Sequence, residues 1–201
     1  MRLRLPLTFL ALYVVAAAPA FLPGDGRVIV QPATNDAVEV YLTPVNLALL
    51  RSYEGIEPFN RALEIAQRRA ESHSHDLAPP YILHDPYRLV APYVTERGRA
   101  LAALPISGAY SADGKSVRFT IASRPRPAEN SQAELTALAE TPDGPMEQTE
   151  SSLGMGIDPE LNRAVLEVNA FDQDLRRRLA RRYGGLITVH WEPFTQRPQL
   201  D

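Results

Sequence analysis

No cysteine occurs anywhere in the 201 residues. That excludes a disulfide framework, a thiolate metal site, a cysteine nucleophile and a lipid-modified N-terminal cysteine. Catalytic signatures are missing too: the chain has no Gly-x-Ser-x-Gly, no Ser-x-x-Lys, no phosphate-cradling glycine loop and no His-Glu-x-x-His. No excess of one charge offers a case for nucleic acid or an anionic membrane surface, because 21 basic and 24 acidic side chains leave a formal charge of −3. What remains is ordinary globular composition, 45% hydrophobic and 22% charged, long enough to bury a core without staples. Eighteen prolines point to many turns and short connections.

The one long apolar run is at the start. Arg2 and Arg4 precede Leu5 to Ala17, and Ala18-Pro19-Ala20 supplies small residues, which is the pattern of a secretory signal covering 1–20. Cleavage after Ala20 or Ala18 would remove two arginines and make the chain more acidic. The competing reading is an uncleaved anchor facing outward, since Leu5 to Leu22 just reaches a thin span.

The best-marked stretch is Ser152 to Pro193, which reads as strand, turn, strand, helix, strand. Asp158-Pro-Glu-Leu-Asn162 has turn chemistry: Asp bonds backbone ahead of it, Pro pre-sets φ and Asn tolerates left-handed φ. In the helix, Asp172 and Asp174 stand at the start, Arg181 and Arg182 at the end, and Gly184-Gly185 stop it. Leu175, Leu179 and Tyr183 form its apolar stripe, so Arg176, Arg177, Arg178, Arg181 and Arg182 are expected on a solvated face. Leu186 to Trp191 is the last strand.

Fainter strand-turn-strand-helix echoes lie upstream. Arg27 to Val30 and Ala37 to Leu42 are expected as strands, followed by a helix opened by Thr43-Pro44. Tyr81 to Leu83 and Arg88 to Val94 form the second pair, with Thr95 capping a helix from Glu96. Asp85-Pro86 before Arg88-Leu-Val90 parallels Asp158-Pro159 before Arg163-Ala-Val165, a match that a duplication would leave but that common Asp-Pro turns in an economically built α+β chain also produce. Ile56 to about Glu71 is a longer helix with Phe59, Leu63, Ala66 and Ala70 on its apolar face. Asp113-Gly114 predicts a type I′ hairpin leading into Val117, Phe119 and Ile121. Ser131 with Glu134 is a capping box opening a short helix. Arg124 to Asn130 has the composition of a linker, and 194–201 that of a mobile tail.

The histidines carry little chemistry by themselves. Glu71-Ser-His73-Ser-His75-Asp76 has ligand-type spacing, but reads as a solvated loop beyond a helix. His84 sits in a turn and His190 on a strand. No catalytic residue, metal ligand or cofactor is assigned.

From 131 to 193 the chain resembles the pro-regions of secreted actinobacterial serine proteases of the streptogrisin and α-lytic type. The resemblance rests on the short helix at Ser131-Gln-Ala-Glu-Leu135, the segment Met155 to Val168 with its Asn162-Arg163 return strand, Arg182-Tyr183-Gly184 ending a helix, and the strand Ile187 to Trp191. Such pro-regions are α+β folding catalysts and inhibitors whose C-terminal segment lies along the protease active site. The resemblance implies that Trp191, Pro193, Phe194, Thr195 and Gln196 meet a partner. The Gly-Asp-Ser-Gly-Gly surroundings of a nucleophilic serine are absent, so the resemblance implies either action in trans or the same shape reused for another purpose.

The expected fold is therefore α+β: small, mostly antiparallel sheets covered by helices, in a lobe over 21–123, a linker over 124–130 and a ββαβ lobe over 131–193. The expected function is an exported, non-catalytic binding protein, with a secreted serine protease as partner and no nucleic acid. The alternatives are an envelope-anchored interaction protein and a metal-dependent hydrolase using His73 and His75.

Overall fold

The computed structural model describes residues 28–31, 36–42, 57–84, 86–170 and 172–193. The N-terminal segment, the helix expected after Thr43 and the tail 194–201 lie outside the described residues. The described chain runs β1 (Val28–Gln31), β2 (Val40–Leu42), α1 (Glu57–Ser72), β3 (Tyr81–His84), β4 (Tyr87–Tyr93), α2 (Glu96–Ala102), β5 (Ile106–Ala112) and β6 (Lys115–Ile121). It continues with β7 (Arg124–Pro127), α3 (Gln132–Ala139), β8 (Ser152–Asp158), β9 (Arg163–Val168), α4 (Gln173–Tyr183) and β10 (Ile187–Trp191). This is an α+β fold, with helices packed on small sheets.

Local chemistry sets most of these boundaries. The Thr95 hydroxyl accepts from Gly98 N at 2.9 Å and Asp172 Oδ1 from Leu175 N at 2.6 Å, so each satisfies a first-turn N–H that the helix itself leaves unpaired. Ser131 and Glu134 close the capping box, and Asp113 (φ 51°) with Gly114 (φ 73°) makes the I′ turn between β5 and β6. At the β8–β9 turn, Asp158 Oδ1 accepts from Glu160 N and Leu161 N, and Asn162 takes the left-handed φ of 56°.

Strand pairing departs from the expected lobes. The largest sheet has the order β1-β2-β10-β9-β8, so the first two strands join the C-terminal ββαβ unit instead of a lobe over 21–123. Its middle trio is parallel, β10 lying between β2 and β9, while β1 and β8 run antiparallel at the edges. One face of this sheet gathers Val40, Val189, Ile187, Leu166 and Val168 against Leu138 of α3 and Leu175 and Leu179 of α4. Every second residue of a strand faces one side. Tyr41, His190 and Glu167 therefore occupy the other.

Arg124 to Pro127 is not a linker. It is β7, paired parallel to β4 at the edge of the sheet β3-β4-β7. Its composition misleads because prolines are tolerated on an edge. Ala128 N donates to Tyr93 O, so by alternation Arg124 and Arg126 bond toward β4, while Pro125 and Pro127 face outward where no donor is needed. Packed on this sheet, α1 buries Ala62, Ala66 and Ala70, small side chains that let helix and strands approach; Leu89, Ile106 and Ala102 complete two adjoining clusters.

Arg176 also departs from expectation. Its neighbours Arg177, Arg178, Arg181 and Arg182 are exposed, but Arg176 is only 3% exposed, and its Nε and Nη2 donate to Val38 O at 3.0 and 2.7 Å. Burial lowers its pKa below the ordinary arginine value, against the opposing attraction of Asp36. Among the described residues, no helix is long and apolar enough to cross a membrane.

Candidate functional site

Two places on the described surface bring chemistry together. The first lies on the face of the five-stranded sheet opposite α3 and α4. In register, His190 of β10 stands beside Tyr41 of β2 on one side and Glu167 of β9 on the other, and Gly154 of β8 lies beyond Glu167. Directly opposed residues on adjacent strands hold their Cβ atoms about 5 Å apart, so the four positions form a row. The imidazole stacks on Tyr41, with ring centroids 5.0 Å apart and planes 13° from parallel. Its Nδ1 lies 3.9 Å from Glu167 Oε1 and 3.5 Å from Glu192 Oε1. Glu192 reaches the row because it is two residues beyond His190 on the same side, its N donating to Val168 O at 2.7 Å. The His190 side chain is 15% exposed, and those of Glu167 and Glu192 are 46% and 38% exposed. The histidine is thus held at the base of the cluster while solvent reaches both carboxylates.

The second place is a cleft on the outer face of β3-β4-β7. It is lined by Leu83, Val90, Arg124 and Pro125, and its volume is about 370 Å³. Tyr81 and Arg126, joined by an Arg126 Nη1 to Tyr81 Oη bond of 2.6 Å, separate it from a recess of about 240 Å³ that runs under the β8–β9 turn. Neither Arg124 nor Arg126 has a carboxylate partner among the described residues.

A side-chain clasp fixes the wall between the two sheets. Asn162 Oδ1 accepts from Glu129 N and Asn130 N at 2.9 and 2.7 Å, and its Nδ2 donates to Asn130 O at 2.8 Å. Asn130 Nδ2 returns bonds to Asn162 O and Gly185 O.

The residues assigned from sequence fall differently. Trp191 turns toward the α3–α4 core, and its Nε1 donates to Asn169 O at 3.2 Å, so its ring is half-buried packing and not an open contact surface. Pro193 is the last described residue, and Phe194, Thr195 and Gln196 lie outside the described residues. His73 and His75 sit in the turn after α1, where His73 N bonds Arg69 O. Neither belongs to the converging group of possible ligands, which is Glu167, His190 and Glu192, with ligand atoms all within 4.8 Å of one another. His84 packs edge-on against Tyr87. The Glu167–His190 pairing was missed because it depends on which strand flanks β10. The only local trace is the alternation of His190 and Glu192.

No protein-family model matches the chain, and no curated protein matches it.

Proposed function

We propose that the chain is an exported, non-catalytic binding protein that engages a secreted serine protease in trans, in the manner of the protease pro-regions its C-terminal part resembles. The observation that carries the binding reading is the cleft beside Tyr81. Tyrosine and arginine beside apolar side chains is the composition of interface centres, and neither Arg124 nor Arg126 is tied up in an ion pair among the described residues. At the cleft and at the last strand the partner is engaged through side chains. The outward edge of β7 carries two prolines that cannot donate to an added strand, and β10 is paired on both sides. Contacts from the last strand therefore fall to residues beyond it, Phe194, Thr195 and Gln196.

The test is inhibition and complex formation between the full chain and serine proteases secreted by its host. Removal of 194–201 weakens inhibition at least about tenfold, and Arg124→Glu with Arg126→Glu does so by a similar factor. If the full chain neither binds nor inhibits any of those proteases, the proposal fails.

A further inference from the structure

We propose that Glu167, His190 and Glu192 form a binding site for one first-row divalent cation, with zinc the favoured occupant. This does not depend on the protease reading, and a failure of either leaves the other standing.

Distance is the first argument. A charge-assisted N–H···O bond closes to about 2.7–2.9 Å. His190 Nδ1 instead stays 3.5 Å from Glu192 Oε1 and 3.9 Å from Glu167 Oε1, with all three ligand atoms within 4.8 Å. Around a tetrahedral zinc with bonds of about 2.0–2.1 Å, neighbouring ligand atoms lie about 3.4 Å apart. The spacing is therefore wider than hydrogen bonding selects, and side-chain movements of up to about an ångström would bring the ligand atoms, now within 4.8 Å of one another, to a coordination shell.

Preorganisation is the second. Rotation of the imidazole is limited by its stacking on Tyr41, which leaves Nδ1 as the nitrogen turned toward both carboxylates. Glu167 and His190 are placed by the β9–β10 register, and Glu192, the first residue beyond β10, is tied down by its backbone bond to Val168. Gly154 keeps the space beside Glu167 open: a Cβ there would stand 3.3 Å from Oε2.

The donor set chooses the metal. One imidazole nitrogen with two carboxylates suits a borderline cation better than magnesium or calcium, which prefer oxygen alone, and it lacks the thiolates that select copper(I). Two carboxylates balance the double positive charge, and three protein ligands leave a position for water.

The experiment is calorimetric titration of the full chain with zinc chloride, repeated with cobalt(II), whose visible absorption reports coordination. Saturable binding of one ion per chain is expected, weakened at least about tenfold in His190→Ala, Glu167→Gln and Glu192→Gln. The double variant His73→Ala, His75→Ala binds as the parent does. Should a variant fold poorly, zinc-dependent melting temperatures decide: zinc raises that of the parent and not that of Glu192→Gln. Absence of saturable binding below millimolar zinc overturns the proposal, as does unchanged binding in His190→Ala or loss of binding in the His73/His75 variant.

Discussion

Replacing Asn162 separates two contributions that meet at one residue. Its side chain makes three hydrogen bonds to the backbone of 129–130, and its own backbone holds φ at 56°. Each bond contributes about 1 kcal/mol net, and water recovers part of that at a half-buried site, so their loss costs about 2 kcal/mol. An alanine forced into left-handed φ adds about 1 kcal/mol, which glycine avoids. Asn162→Ala should therefore lower unfolding free energy by about 3 kcal/mol and Asn162→Gly by about 2 kcal/mol. Urea denaturation followed by far-ultraviolet circular dichroism measures both. Asn130→Ala, combined with Asn162→Ala in a double-mutant cycle, should cost less than the sum of the single changes, because the two side chains share one clasp. Equal losses for alanine and glycine would refute the backbone argument. Losses below about 0.5 kcal/mol in both would refute the clasp as the tie between the sheets.

Arg176→Leu keeps packing volume but leaves the buried Val38 carbonyl without its two donors, and should cost about 1–3 kcal/mol in the same urea assay. Gly98→Ala reverses the usual helix preference for alanine, because a Cβ there would sit 2.0 Å from Asp76 O; a loss of about 2 kcal/mol or more is expected by thermal melting, and a gain would refute the contact. The Glu134 carboxylate is held below its ordinary pKa first by the Ser131 N–H and then by the Ser131 hydroxyl. Its stabilising contribution is thus present above the ordinary carboxylate range and disappears as pH falls through the depressed value, so Glu134→Gln should be less stable than the parent at pH 7 and converge with it in strong acid. Mass spectrometry of the protein recovered from both medium and envelope fractions should find it in the medium with a mature N-terminus at Phe21 or Pro19; an intact Met1 in the envelope fraction supports the anchored alternative instead.

By itself the sequence determined the elements whose causes lie within a few residues. Thr95, Ser131 and Asp172 cap their helices through their own side chains, and Asp113-Gly114 reverses the chain because both residues accept positive φ. Asp158 to Asn162 turns the chain by the same short-range logic. The tertiary structure alone decided what depends on distant neighbours. Arg176 reads as one of five solvated arginines until Val38, 138 residues earlier, supplies a buried acceptor. The prolines of β7 read as a linker until the edge of β4 gives Arg124 and Arg126 partners. His190 and Glu167 are 23 positions apart in the chain and become neighbours only because β10 inserts parallel to β9. Strand order is set by which faces bury together, and that choice is made by the whole core, not by any one strand.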